Sequence, residues 1–277
     1  MLENKQISII ICSRNTEISE ELKRNIDSTI GVEYEMVFIN NKHAEYDIFT
    51  AYTEGLKHAT CEYLCYMHED VYFHSVKWGQ CVLDHFKDKT IGVLGVMGGH
   101  YIPNTPSGWW EPGVTSENFI CRFPDGTCNK VYIDKYRNDA EGVVAVDGAF
   151  MCFPRRIFDE ISWDSNLFTG FHCYDIDICL QAITHGYKVQ IAWDILLEHR
   201  STGSFDRKLI KSRHLLYNKW QNILPIQRGV YMTNEEVNIH HELARLRESV
   251  IEINNSLEFK LGKMLISPIR RIHNLFR

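Results

Sequence analysis

Carboxylates and histidines at the ends of apolar runs are the side chains of this 277-residue chain best suited to chemistry. The stretch Cys61 to Phe73, CEYLCYMHEDVYF, is apolar up to Met67, breaks into His68-Glu69-Asp70, and turns apolar again at Val71. That pattern reads as a buried strand ending in a polar turn. Ligands of open α/β sheets collect at the C-terminal ends of strands. One carboxylate there, together with phosphate oxygens, is an ordinary way to hold Mg²⁺ or Mn²⁺. The competing reading is a solvated turn, because short acidic clusters are mostly surface. Asp147, next to Gly148, is the single carboxylate of VVAVDGAFMCF. Asp175 and Asp177 fall at a predicted helix start, where one of the two can serve as a cap worth about 1 kcal/mol, leaving the other free. His199, in the polar stretch EHRSTGS, is either structural or a metal ligand. Trp109-Trp110 offer indoles that stack on a sugar face or pin their loop to the core.

The elements that must position these residues are legible as alternating strands and helices. Ile7 to Ile11 is a β-branched run ending in the polar turn Cys12-Ser13-Arg14-Asn15-Thr16. A helix starting around Ser19 follows, then the strand EMVFI ending in Asn40-Asn41. Two strands joined through a helix, each ending in polar side chains, make a nucleotide-binding half. Neither GxGxxG nor GxxxxGK[ST] occurs, so side chains such as Arg14, Asn15, Asn40 and Asn41 must hold any nucleotide, with a metal offsetting its phosphates. Residues 48–59 predict a helix leading into the Cys61 run, and residues 76–86 another. IGVLGVMGG is a strand whose glycines permit close backbone approach. Residues 101–142, rich in Pro and Gly, read as a long loop of the functional kind. Val143 to Phe153 reads as one strand, and Val189 to Trp193 as another.

Composition fits a globular protein, with 44% apolar and 24% charged residues. No stretch reaches the roughly 20 apolar residues that span a bilayer, and the N-terminus lacks the pattern of a secretory signal, so a cytoplasmic location is expected. Nine cysteines without CxxC spacing suit buried thiols rather than a zinc site. The net charge of −6 argues against a nucleic-acid partner. It is unevenly spread, because Leu257 to Arg277 carries +4 and the remainder −10.

Five segments in register resemble the family 2 glycosyltransferases of GT-A fold, and more narrowly the bacterial streptomycin-biosynthesis StrF-like group. They are ISIIICSRN, YLCYMHEDV, VDGAFMCFPRRIFDE, FTGFHCYDIDICLQAITHGYKV and HRSTGS, spanning about Ile7 to Phe205. The resemblance implies a Rossmann-like, mainly parallel mixed sheet flanked by helices. It implies an inverting enzyme that moves a sugar from a nucleotide-sugar donor to a hydroxyl of a glycan or lipid-linked acceptor, in surface polysaccharide or glycoconjugate synthesis. By position, His68-Glu69-Asp70 matches the family's Asp-x-Asp turn, with Asp70 as a ligand of Mn²⁺ or Mg²⁺ and His68 turned to the ribose or base. His199 matches a second metal ligand. Asp175 matches the general base, with Tyr174 where a Glu is usual, and Thr53 stands where Asn is frequent. A nucleotide-sugar-binding protein without turnover and a metal-dependent nucleotidyltransferase are the alternatives.

The catalytic domain is expected over residues 1–228 and a helical appendage over 229–277. Thr233 and Glu236 fit a capping box, and Ile239, Leu243, Leu246, Val250, Ile253 and Leu257 recur at heptad-like spacing. That helix is expected either to pair with a second copy or to fold back. KLGKMLISPIRRIHNLFR beyond it combines basic and apolar residues, as for an anionic membrane surface or for core packing.

Overall fold

A computed structural model describes residues 5–123, 125–201 and 205–263 of the chain. The first half runs β1 (Ile7–Ser13), α1 (Glu20–Thr29), β2 (Tyr34–Asn40), α2 (Ile48–His58), β3 (Tyr63–Met67), β4 (Val71–Phe73), α3 (Trp78–His85), β5 (Ile91–Gly95), β6 (Met97–Gly99) and β7 (Tyr101–Ile102). The second half runs β8 (Thr115–Arg122), β9 (Cys128–Ile133), β10 (Ala145–Val146), β11 (Phe150–Pro154), α4 (Tyr174–Thr184), β12 (Lys188–Ile191), β13 (Leu197–His199), α5 (Arg207–Trp220), β14 (Ile226–Gln227) and α6 (Asn234–Asn255).

The main sheet has the order β12-β5-β11-β3-β1-β2. Every neighbouring pair is parallel except those made by β11, which runs against both β3 and β5. β1 is buried on both faces, as its apolar run, interrupted only by Ser8, requires of a central strand. α1 starts where Ser19 accepts the Leu22 N–H, and it buries Leu22 and Ile26. Behind it, Trp78 stacks on Phe73 with ring centroids 4.1 Å apart. A second sheet, β10-β6-β8-β13-β4 with β9 on the free side of β8, covers the C-terminal edge of the first.

Several expectations change here. The run 143–153 is two strands in two sheets, because Asp147-Gly148 turns the chain between β10 and β11. The IGVLGVMGG run likewise divides into β5 and β6. Gly98 lets β6 close on β10, since a Cβ there would lie 2.1 Å from the Ala145 carbonyl oxygen. Residues 101–142 are not all loop, for they hold the β8–β9 hairpin. Its outer strand, CNKVYI, is polar and largely exposed, so it lacks the apolar alternation that announces a strand. His199 ends a short strand rather than sitting in a loop.

α6 has the capping box expected at Thr233 and Glu236. It rests on the domain through Ala244, Glu248, Ile251 and Asn255, which leaves the heptad positions Ile239, Leu246, Val250, Ile253 and Leu257 more than half exposed. Residues 264–277, most of the basic tail, and Thr202 to Ser204 of the HRSTGS loop lie outside the described residues. Among the described residues no helix is long and apolar enough to cross a membrane.

Candidate active site

β3 delivers its polar turn to the seam between the sheets. The His68 N–H bonds the Ala149 carbonyl, tying the turn to the Asp147-Gly148 bend. β4 then pairs antiparallel with β13, His199 facing Val71, and the Arg200 N–H bonds the Asp70 carbonyl. Strand pairing thus brings together two residues separated by more than half the domain's sequence. His199 Nε2 lies 3.4 Å from His68 Nδ1 and 3.5 Å from Asp70 Oδ1, and the last two are 3.9 Å apart. Glu198, pointing the opposite way along the strand, is held to a pKa of about 2, chiefly by its bonds to Arg122 and also by Arg200. This pairing anchors β13 from behind.

The fold family implies a divalent cation, and the triad fits one. His68, Asp70 and His199 each offer a ligand atom, all within 4.8 Å of one another. A point about 2.1 Å from all three atoms exists inside a triangle of those edges, which is an ordinary metal–nitrogen or metal–oxygen distance. Asp70 Oδ1 is buried without a hydrogen-bond partner, a costly state unless a cation faces it. Burial, then the adjoining His199, lowers the pKa of His68, which favours the neutral ring that ligation needs. His68 Nδ1 faces the other two residues, whereas the resemblance placed His68 toward the ribose or base.

α4 supplies the carboxylate. Its cap is Cys173, a buried non-glycine residue at φ 64° with no side-chain bond to the helix. Such backbone strain costs on the order of 1–3 kcal/mol and concentrates at functional sites. Neither aspartate caps, which corrects the sequence reading. Asp177 lies in the first turn of the helix, two residues past Asp175, and is buried, accepting from Trp220 Nε1 and Gln181 Nε2 at 2.8 Å and pairing with Lys219 at 2.7 Å. It fastens α5 to α4. Asp175 has no cation partner among the described residues, and its Oδ1 accepts the Ile176 N–H, at 2.9 Å. Burial, and next the charge of nearby Asp147, raise its pKa to about 7. Asp147 Oδ1 meanwhile accepts the Ala149 N–H.

Between triad and helix lies a cleft of about 750 Å³ whose lining includes His68, His199, Trp109, Trp110, Asp147, Gly148 and Asp175. Its rim is aromatic, with Trp110, Phe123, Phe171 and Phe205 each 36–48% exposed. The two indoles differ in their surroundings. Trp109 is only 7% exposed and packs in the core, whereas Trp110 sits edge-to-face with Phe205 at the rim. Behind Trp110, the buried Arg213 of α5 bonds both Glu111 and Glu248. The Arg247 guanidinium lies 5.8 Å from the Trp110 ring.

The residues assigned to the nucleotide fall into two groups. Ser13 Oγ and Asn15 Nδ2 both bond Glu69 Oε2, so the ends of β1 and β3 share one polar patch. Arg14 lies over Phe171 at 5.9 Å. Asn41 is buried with its amide bonded both ways to the Tyr46 backbone, and Asn40 caps the Lys42 N–H, so these two serve the loop after β2. Burial pushes the Cys12 thiol up to about 11. The sequence reading missed Phe171, Phe205 and Arg213, which sit in irregular or helical stretches with no pattern to mark them. It noted Tyr174 only as a departure.

Residues 8–202 match the glycosyltransferase-like family. No curated protein matches the chain. Among solved structures, GalNAc-T7 with UDP, GalNAc and Mn²⁺ superposes with a TM-score of 0.51 at 12% identity, over 88% of this chain and 55% of that one. This chain thus spans little more than half of that structure, and the likeness is one of fold. A197 from STIV superposes with a TM-score of 0.41 at 15% identity, over 71% of this chain and 86% of that one. The family match takes in most of the chain and runs from β1 past the triad and the α4 carboxylate, so the chain belongs to the glycosyltransferase-like family, on a GT-A fold.

Proposed function

We propose that the protein is an inverting, metal-dependent glycosyltransferase that moves a sugar from a nucleotide-sugar donor to an acceptor hydroxyl. The observation that carries this reading is a carboxylate with a pKa of about 7 opening onto the same cleft as His68 and His199, the two histidines grouped with Asp70. A base tuned near neutrality is what proton abstraction from a hydroxyl calls for. The acceptor proton passes to Asp175 while the acceptor oxygen bonds to the anomeric carbon. The bond from that carbon to the diphosphate oxygen breaks, and its electron pair leaves with the nucleoside diphosphate. The triad would hold Mn²⁺ or Mg²⁺, which supplies positive charge to the departing diphosphate. Ser13, Arg14, Asn15 and Glu69 are assigned to the nucleotide, and Trp110 with its aromatic neighbours to the acceptor side, where flat rings match sugar faces.

The finer assignments belong to the same proposal. They are membership of the StrF-like group, a role in surface polysaccharide or glycoconjugate synthesis with a glycan or lipid-linked acceptor, and a cytoplasmic location at the membrane's inner face. The domain boundary at residue 228 and a second copy docked along the outward stripe of α6 complete it. A strictly monomeric mass in solution would contradict that pairing. Incubation with a panel of nucleotide sugars and Mn²⁺, followed by quantification of free nucleoside diphosphate, tests the activity. Metal-dependent release with at least one donor is expected. Tight donor binding without release from any donor would favour a binding protein instead.

A further inference from the structure

The residue that precedes the base also touches the metal triad. Tyr174 Oη lies 2.7 Å from His68 Nε2, on the side of the ring opposite the Nδ1 that faces Asp70 and His199. The contact is built, not incidental. The Tyr174 ring is fixed edge-on against Phe49 and Tyr52, with centroids 6.4 and 5.7 Å away. A Cβ at position 148 would fall 2.1 Å from Tyr174 Oη, so only glycine at the Asp147-Gly148 bend lets the hydroxyl reach the imidazole. The geometry points to Tyr174 as a positioning residue that selects the His68 tautomer able to bind a cation.

A neutral imidazole carries one proton, on one nitrogen. For Nδ1 to present its lone pair beside Asp70, the proton must sit on Nε2 and be donated to an acceptor. In that tautomer the Tyr174 oxygen accepts the Nε2 proton, in the role that outer-shell carboxylates and carbonyls fill at other histidine metal sites. Tyr174 opens α4 and Asp175 follows it, so the same first turn orients one metal ligand and carries the base. A displacement of α4 therefore disturbs both ends of the cleft.

This inference rests on the proposed metal site, and its test separates the two. Mn²⁺ is titrated into the full-length chain and its free signal followed by electron paramagnetic resonance, for wild type, Tyr174→Phe and Asp70→Ala. Outer-shell losses at metal sites typically cost 10- to 100-fold in affinity, and Tyr174→Phe, which keeps the ring, is expected to weaken Mn²⁺ binding by about that factor. Asp70→Ala should abolish it. Unchanged affinity in Tyr174→Phe alongside loss in Asp70→Ala overturns the role of Tyr174 and leaves the metal site standing. Unchanged affinity in Asp70→Ala overturns both. The tautomer gives a readout independent of metal and of any variant's folding. Nitrogen-15 spectra of the metal-free wild type should show His68 protonated on Nε2, and a proton on Nδ1 contradicts the inference.

Discussion

Asp175 shows how placement alone changes what a side chain can do. It shares the first turn of α4 with Asp177, yet the two carboxylates have opposite surroundings. Asp177 is answered by Lys219, Trp220 and Gln181, while Asp175 faces a cleft and the like charge of Asp147. The residue pattern marked both as candidates and only the family resemblance favoured Asp175, because Lys219 and Trp220, which answer Asp177, arrive from α5, some forty residues later. The raised pKa of Asp175 has a consequence for stability. An unfolded aspartate releases its proton near pH 4, whereas the folded chain keeps this one until about 7. Between those values the folded state binds more protons, so stability falls as pH rises, and the full cost is present above about 7. Asp175→Asn removes that cost. Its melting temperature should match wild type near pH 4 and exceed it at pH 8, by the equivalent of up to about 4 kcal/mol. Thermal denaturation at the two pH values checks this, and an equal difference at both would contradict it.

At the level of elements, the strands with continuous apolar runs were legible, and those whose pairing is decided elsewhere were not. β1, β2 and β3 with α1 and α2 follow from β-branched runs, caps and turn residues such as Ser19. β13 is three residues long and exists only because β4 and β8 flank it, and so the proximity of His199 to Asp70 is invisible in local sequence. α6 had the right start and spacing, while the choice between pairing with a second copy and folding back stayed open in the sequence. Five of the six apolar heptad positions point outward, and the contact with the domain runs through Ala244, Ile251, Asn255 and Glu248, the last bonded to the buried Arg213. Arg213 is 2% exposed and joins α6, α5 and the Trp110 loop through Glu248 and Glu111. Arg213→Met keeps the volume and leaves two buried carboxylates without their cation. Removing one partner of a buried ion pair costs about 3–5 kcal/mol, and a loss of that order is expected in denaturant unfolding. A loss under about 1 kcal/mol would show that α6 and the Trp110 loop are held by other contacts.

Taken whole, the molecule is a parallel-rich sheet with a second sheet folded over its C-terminal edge, and the cleft forms where they meet. One wall carries the triad and the other the first turn of α4, so each half of the proposed reaction is anchored on a different element. The central claim is that Asp175 takes the acceptor proton across this cleft. The rate of sugar transfer by Asp175→Asn tests it most directly, measured with the donor that releases diphosphate fastest and beside the donor's dissociation constant. Asparagine keeps the shape and cannot accept the proton. General-base catalysis typically contributes about 10²- to 10⁴-fold, so transfer should fall by that factor while donor affinity stays within about twofold. Transfer near the wild-type rate would contradict the account and move the base to Asp147.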